Sequence, residues 1–443
     1  MKRNCCRVGQ LIVLAMLAFL GSARAAVAQE AAESSGRVNQ VLEWNQIFID
    51  TLIATNTANS SSQRLGAIVH TAMFDAFNGI DQRYTPIFVH TTAPKGASSR
   101  AAVIAAAHTT LVGLFPSRQA ALDERYEGSL ASLLAACGHD QPHGGQRPCA
   151  TRIEVGVAWG TEVAHAILDW RAGDGFTASY PPFVGGTAVG QWRPVPPATA
   201  MSAQGLAFTV PFVLASSTQF KPAAPRSLTS STYADDFNIV KSFGRATGSA
   251  RTEDQTALAP FWEGNASVHW NQAANQIARA NHLSIRKANR LLAVLNIAMA
   301  DTAITVWSAK RSYGADPIEV TWRPATSIPL GDADNNPVTA PDPSWVPLLP
   351  TPSHPEYPAG HPSLNGAAAT VLLSHFHHGQ TFTLTTNLRP DRTYTSITQA
   401  RSDGNNARVW GGMHYPTTVD ISDALGETIA NYVNENAMTR VRH

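Results

Sequence analysis

The sequence predicts an all-α fold in which helices pack together as bundles. Several segments repeat apolar residues close to the 3.6-residue period of a helix, and residues 62–79 do so most clearly. Strand signals are few, and only residues 381–395 suggest a short hairpin. The chain has 443 residues, 44% of them hydrophobic, which is enough to bury a sizeable core. Because each amphipathic helix must bury its apolar face, we expect helices packed on helices.

The N-terminus has the features of a secretory signal peptide. Lys2 and Arg3 give it a basic start, an apolar run follows at 11–20, and small residues at 26–28 suit a cleavage site. The apolar run is short for a bilayer span, and we expect no later segment to be long enough for one. We therefore expect a secreted or periplasmic protein, with a retained N-terminal anchor as the alternative. The predicted divisions are a signal peptide, a flexible N-terminal segment and one helical domain, at residues 1–28, 29–40 and 41–443.

Periodic or Ala- and Leu-rich segments predict the individual helices. They lie at 62–79, 97–115, 118–136, 154–173, 285–310, 363–378 and 417–433. His70 lies inside the first of these, where a histidine is usually a hydrogen-bonded core residue. Residues 329–357 are dense in Pro and Asp and predict a long loop, and such loops in compact domains are often functional.

Two cysteines follow the predicted leader and flank a Gly-, His- and Pro-rich segment. In an oxidising compartment, Cys137 and Cys149 are expected to form a disulfide. Two alternatives stay open at this point. The cysteines could be free thiols, or they could bind a metal together with His139 and His143, although their spacing matches no standard zinc motif.

The net charge of +1 argues against nucleic acid or an anionic membrane surface as a partner. Any positively charged site must therefore be local, and the region from Lys310 to His414 contains the best candidate. In the turn at residues 358–362, Pro362 suits the first position of a helix. Gly360 and His361 would then lie at a helix N-terminus, where free N–H groups and the helix dipole favour an anion.

Three cations accompany this turn in the sequence, namely Lys310, Arg323 and Arg408. A guanidinium group matches the geometry of a tetrahedral oxyanion and stays charged. Several cations around one multiply charged anion offset the free energy of removing it from water. His414 and His361 add two imidazoles that are suited to covalent and proton chemistry.

In their order along the chain these residues resemble the vanadium-dependent haloperoxidases, which belong to the type-2 phosphatidic acid phosphatase superfamily. The segments 322–328, 354–358 and 67–76 resemble the bacterial haloperoxidase-like branch. The resemblance implies two four-helix bundles and one site that takes vanadate or phosphate. The oxyanion-binding residues that it implies are Lys310, Arg323, Gly360 and Arg408. It also implies that His414 is the axial ligand of vanadate and that His361 is the acid–base group.

The function implied by this resemblance is a haloperoxidase that oxidises halide with hydrogen peroxide and modifies an organic acceptor. The first alternative is a secreted acid phosphatase, in which His414 forms a phosphohistidine and a phosphate ester is the substrate. The second alternative is a protein that binds an oxyanion without catalysis. Three further residues are candidates for the cleft, with core or loop packing as the alternative: His354, Trp322 and Tyr357.

The sequence departs from the family pattern at three places. Residues 311–322 form a longer interval between Lys310 and Arg323 than is usual, with an apparent insertion at 314–317, and Arg311 could replace Lys310. Ala359 stands where many members have a serine that donates to the oxyanion. Thr418 stands where the family often has an aspartate. There Thr417 and Asp420 predict a capping box instead, so the orienting partner of His414 stays unassigned.

Overall fold

The computed structural model describes residues 38–137, 148–314, 320–386 and 389–441. These ranges contain thirteen α-helices and one small two-stranded sheet, which confirms the predicted all-α fold. The predicted signal peptide, the alternative metal ligands His139 and His143, and residues 315–317 of the apparent insertion lie outside the described residues.

The first eight helices run from the start of the described chain to the middle of the sequence. They are α1 Gln40–Ala54, α2 Asn59–Asp81, α3 Ser99–Leu114, α4 Gln119–Ala136, α5 Cys149–Ala172, α6 Ser231–Phe243, α7 Glu253–Phe261 and α8 Ala266–Ala280. Short 3₁₀ turns lie at Pro116–Arg118, Gln204–Phe208 and Ile328–Ala333.

The C-terminal part contains the remaining helices and the hairpin. The helices are α9 Ile285–Gly314, α10 Pro324–Ser327, α11 Gly360–His375, α12 Ile397–Trp410 and α13 Pro416–Asn436. Strands β1 Phe382–Leu384 and β2 Arg392–Tyr394 pair antiparallel, which confirms the hairpin predicted at 381–395.

Helix α9 is the centre of the packing. Helices α2, α3 and α5 pack against one another on one side, and α11, α12 and α13 form the other group. Helix α9 contacts α2 as well as α11 and α13. By length and composition α9 could cross a membrane, so the expectation that no later segment is long enough was wrong. However, 94% of its apolar window is buried inside the protein, as a central core helix requires.

The first residues of two helices differ from those predicted from the sequence. Helix α13 begins at Pro416, and Thr417 donates its N–H and hydroxyl to the carboxylate of Asp236. The capping box predicted for Thr417 and Asp420 was therefore wrong, because a tertiary acceptor takes the donors of Thr417. Helix α11 begins at Gly360, which places Pro362 at the third helical position; proline fits there because first-turn N–H groups have no helical partner.

His70 and the cysteines at 137 and 149 have partners inside the fold. His70 contacts the carbonyl of Gly66 at 2.8 Å and the side chain of Asn45 at 3.0 Å, which confirms the core role expected for it. Burial lowers the pKa of His70 to about 4, so the ring is neutral. Cys137 and Cys149 form a disulfide with a Cα–Cα distance of 5.7 Å.

Two glycines allow α11 and α13 to approach each other closely. A Cβ atom at Gly366 would lie 2.2 Å from the carbonyl oxygen of Asp423, and one at Gly426 would lie 1.9 Å from that of Ser363. Both distances are shorter than non-bonded atoms allow, and both neighbours are backbone atoms. Since α11 begins at Gly360 and α13 follows His414, this contact also fixes the separation of two predicted site segments.

We expect Gly426→Ala to lower the free energy of unfolding by at least about 1–3 kcal/mol, because the helices must separate to admit the methyl group. Chemical denaturation measures the change. Gly128→Ala is the matched control, because Gly128 is also helical but its Cβ position is open. The control should be neutral or stabilising by up to about 1 kcal/mol. Equal effects of the two substitutions would contradict the close helix contact.

Candidate oxyanion-binding site

The predicted site residues lie at helix ends that converge beside the C-terminal helices. Lys310 lies four residues before the end of α9, and Arg408 lies in the last turn of α12. Arg323 precedes α10, while His414 lies in the short connection between α12 and α13. Helix ends expose backbone donors and acceptors that a continuous helix would satisfy itself. A site built at such ends can therefore use backbone groups as well as side chains.

The imidazole of His414 is held from both sides. Arg323 Nη1 lies 2.9 Å from Nε2, and Glu356 Oε1 lies 3.0 Å from Nδ1. A guanidinium group can only donate, and an ionised carboxylate can only accept. Nδ1 therefore carries the proton, and the lone pair of Nε2 faces Arg323. Burial and then Arg323 lower the pKa of His414 well below its usual value, which keeps the ring neutral.

Glu356 is buried at 1% exposure and accepts three hydrogen bonds. Besides His414, the N–H of Tyr415 donates to Oε1 at 3.1 Å, and the hydroxyl of Thr418 donates to Oε2 at 3.0 Å. Burial raises the pKa of Glu356 to about 7, while Arg323 acts in the opposite direction. The three donors and the adjacent guanidinium favour the carboxylate form.

Arg323 links His414 to the loop that precedes α11. Its Nε donates to the carbonyl of His354 at 2.9 Å, and its Nη2 lies 2.8 Å from His354 Nδ1. Its Nη1 also donates to the carbonyl of Met413 at 2.8 Å. Burial lowers the pKa of Arg323 to about 9, so the group remains a cation at neutral pH.

Lys310 is fully buried, and its ammonium group donates to the carbonyls of Pro355 and Glu356. An ammonium group has three donors, so a third can serve a bound anion. Burial and the charge of Arg323 lower the pKa of Lys310 well below its usual value. A bound anion would favour its charged form.

Arg408 is buried with few acceptors around it. Its Nη1 donates to the carbonyl of Trp262 at 3.5 Å, and its Nη2 contacts the sulfur of Met413 at 3.0 Å. Among the described residues, its Nε has no hydrogen-bond partner. Burial lowers the pKa of Arg408 to about 10, so it stays charged. A buried cation with an unpaired donor indicates a place for an anion.

His361 lies at the second position of α11. Its Nε2 contacts the carbonyl of Gly264 at 3.2 Å and the side-chain amide of Asn59 at 3.3 Å. Burial and then the charge of Arg408 lower the pKa of His361 well below its usual value. His361 is therefore a proton acceptor before a ligand binds. A Cβ atom at the preceding residue, Gly360, would lie 3.4 Å from the Trp307 ring, so packing alone does not demand glycine.

The buried charges of this group do not balance. Lys310, Arg323 and Arg408 are at most 2% exposed, and Glu356 is the carboxylate that contacts the group among the described residues. With Lys310 protonated, three cations against one carboxylate would leave two positive charges away from water, and the two guanidinium groups alone exceed the carboxylate by one. Uncompensated buried charge is strongly unfavourable. The arrangement is therefore suited to a multiply charged anion beside Nε2 of His414.

The other residues considered in the sequence take different places. His354 joins the site through Arg323, and its ring lies 5.1 Å from that of Trp307. Trp322 donates to the hydroxyl of Tyr233 in a separate core cluster. Tyr357 donates to a loop carbonyl and packs in the core, and Arg311 lies over two aromatic rings rather than among the site cations.

The sequence did not identify three residues of the site. They are Glu356, Asn59 and Ser422, whose hydroxyl accepts from the N–H of Ala359 at 2.7 Å. A carboxylate between two prolines, five positions before His361, was the available signal for Glu356. Neither Asn59 nor Ser422 stands near a recognisable motif, so no local signal could have found them.

The donor set fits vanadate. Two guanidinium groups, one ammonium group and a helix N-terminus supply donors to oxyanion oxygens, and Nε2 of His414 supplies a neutral nitrogen ligand. The unpaired Nε of Arg408 is a donor that such an oxyanion would satisfy. The same set fits phosphate equally well, because both anions are tetrahedral.

Comparisons with known proteins show which family model and which solved structures this chain resembles. Residues 290–443 match the family model described as the VCPO second helical-bundle domain. That range contains all six residues carried over from the resemblance. No curated protein sequence matches the chain.

Solved structures extend the similarity to nearly the whole chain. One described as the first bacterial vanadium-dependent iodoperoxidase aligns with a TM-score of 0.72 and 22% identity, over 91% of this chain and 98% of that one. An apo-type bacterial vanadium-dependent chloroperoxidase aligns with a TM-score of 0.65 and 18% identity, over 85% and 94%. Its holo-type counterpart has a TM-score of 0.63 and 18% identity, over 85% and 91%. Residues 290–443 are therefore similar to the VCPO second helical-bundle domain, and the chain as a whole has the fold of the vanadium-dependent haloperoxidases.

Proposed function

We propose that this protein is a vanadium-dependent haloperoxidase that uses hydrogen peroxide to oxidise a halide. The observation that carries the proposal is the buried excess of positive charge beside a neutral, tautomer-fixed His414. The fold similarity to iodo- and chloroperoxidases supports this activity over phosphate ester hydrolysis, which the same donors could serve.

Each residue has a role that its contacts support. Lys310, Arg323 and Arg408 would hold the oxygens of vanadate, together with the N–H of Gly360. His414 would hold vanadate through Nε2, because the hydrogen bond from Nδ1–H to Glu356 leaves the lone pair on Nε2. Arg323, which donates to that lone pair here, would turn its donor to the oxyanion. When bound, vanadate would supply a Lewis acid that activates hydrogen peroxide for attack by the halide without changing oxidation state. His361, neutral in this environment, would accept a proton from peroxide and return it to a leaving oxygen.

Two neighbouring features support the wider proposal. A cavity of about 300 Å³ borders the turn at 262–264 whose carbonyls contact Arg408 and His361. Its walls include Leu52, Ile53 and Phe261, which suits an apolar organic acceptor. The disulfide between Cys137 and Cys149 supports the further proposal that the protein works in a secreted or periplasmic setting.

The decisive experiment separates the two enzymatic candidates. The full chain is purified, loaded with vanadate and assayed for triiodide formation and for monochlorodimedone halogenation with iodide, bromide and chloride. Phosphate ester hydrolysis is measured in parallel on vanadate-free protein. Halide oxidation that requires vanadate supports the proposal. Ester turnover without any halide oxidation would replace it with the phosphatase alternative.

Substitution of the two histidines should have different consequences. His414→Ala should abolish tight vanadate binding, because the nitrogen ligand is lost. His361→Ala should keep vanadate affinity within about tenfold but lower kcat by roughly 10²–10⁴, the usual contribution of a general acid–base group. Isothermal titration and steady-state kinetics measure the two effects. His377→Ala, at an exposed histidine, is the control and should change neither. Equal losses of affinity in both site variants would contradict the separate roles.

Ala359→Ser should strengthen oxyanion binding. Ala359 is buried directly before Gly360, where many family members have a donating serine. One added hydrogen bond to a charged group contributes about 1–3 kcal/mol, or roughly 5- to 150-fold in affinity. Titration with vanadate and with phosphate measures the gain. A more stable helix α11 with unchanged affinity for both anions would show that the new hydroxyl caps the helix instead.

A further inference from the structure

The family pattern leaves the orientation of His414 unexplained in this chain. Members often have an aspartate at the position that Thr418 occupies here, in the first turn of the last helix. Thr418 carries no charge, and its hydroxyl donates to Glu356 instead of accepting from the imidazole. A neutral imidazole ligand nevertheless needs a partner on its second nitrogen that fixes the tautomer and the ring plane.

We propose that Glu356 is the positioning residue of His414, so that the carboxylate comes from the loop before α11 instead of from α13. Glu356 Oε1 lies 3.0 Å from His414 Nδ1, although the two residues are 58 positions apart in sequence. Its other oxygen, Oε2, accepts from the hydroxyl of Thr418, the side chain that occupies the usual aspartate position. The carboxylate has moved to another segment, and the chemistry at Nδ1 is retained.

The contact at the other ring nitrogen of His414, Nε2, also supports Glu356 as the positioning residue. Arg323 Nη1 donates to Nε2, so His414 cannot carry its proton there. The proton must lie on Nδ1, and Glu356 is its acceptor. Because the N–H of Tyr415 donates to the same Oε1 atom, the carboxylate is fixed in position as well. The orientation of His414 therefore follows from hydrogen bonds to Arg323 and Glu356.

Glu356 also couples this orientation to the site cations. The backbone carbonyls of Glu356 and Pro355 accept from the ammonium group of Lys310. His354, which precedes Pro355, contacts Arg323 through its carbonyl oxygen and its Nδ1 atom. The loop 354–356 thus holds both cations and the ring of His414 in one rigid unit. A change at Glu356 should affect the nitrogen ligand more than the binding of a simple anion.

This inference rests on the proposed function, because it assumes that vanadate bonds to Nε2 of His414. Vanadate would gain from that bond, whereas inorganic phosphate would bind through the cations alone. The ratio of the two affinities therefore reports on His414, while the loss of a negative charge affects both anions similarly. His414→Ala sets the lowest value that this ratio can take.

The test uses the full chain and three variants. Glu356→Ala should lower the vanadate-to-phosphate affinity ratio by about 10–100-fold, toward the value of His414→Ala, without weakening phosphate binding. Thr418→Asp in the Glu356→Ala background should restore most of the ratio, because Thr418 Oγ1 lies 3.0 Å from the carboxylate that was removed. Asp420→Asn, at an exposed carboxylate on the same turn, is the control and should leave the ratio unchanged.

A spectroscopic measurement covers the case in which Glu356→Ala fails to fold. In protein labelled with ¹⁵N-histidine, His414 should show the Nδ1–H tautomer without any ligand. Glu356→Gln keeps an acceptor oxygen for Nδ1–H and Tyr415, while its amide can donate to Thr418. The tautomer should therefore persist, but the Nδ1–H resonance should move upfield, because a neutral acceptor makes a weaker hydrogen bond.

The outcomes separate this inference from the proposed function. An unchanged affinity ratio in folded Glu356→Ala, or an unchanged Nδ1–H resonance in Glu356→Gln, would overturn the role of Glu356. Absence of halide oxidation and of any vanadate preference in the wild-type protein would overturn the proposed function. The resonance measurement would still decide the role of Glu356 in that case.

Discussion

The site depends on one buried loop, residues 354–356, that binds two cations and a histidine at once. Backbone carbonyls of the loop accept from Lys310 and Arg323, and the Glu356 side chain accepts from His414. Without such acceptors, cations this deeply buried would repel one another and lose their hydration. The loop compensates part of the charge but leaves an excess. That excess gives the site its affinity for an oxyanion, and the same loop gives His414 the orientation that a ligand needs.

The helical scaffold sets the distances on which this arrangement relies. Helices α11 and α13 are pressed together at Gly366 and Gly426, where backbone atoms of the partner helix leave no room for a Cβ atom. His361 is the second residue of α11, and His414 lies two residues before the start of α13. Arg408 ends α12, which packs on α11. The groups proposed for binding and proton transfer are thus attached to the ends of rigid elements, as a preorganised site requires.

Local sequence patterns predicted correctly the features that depend on the residues of a single segment. Periodic or Ala- and Leu-rich segments predicted seven of the helices, including α2 and α9, because burial of one face is a property of each segment. Thr417 shows where such reasoning fails: its spacing to Asp420 predicted a capping box, but Asp236, 181 positions away, accepts its donors. The expectation that no later segment is long enough for a membrane span failed at α9, and only the surroundings of this helix show that it is a core helix.

By itself the sequence determined the all-α fold, the cations Lys310, Arg323 and Arg408, and the two histidines as candidates for a single oxyanion site. Only the tertiary structure decided which groups complete that site. Glu356 reaches His414 across 58 residues, Asn59 reaches His361 across 302, and Lys310 binds loop carbonyls instead of standing free. The physical reason is that hydrogen bonds of buried polar groups are satisfied by whatever lies nearby in space. No periodicity or spacing along the chain encodes those partners.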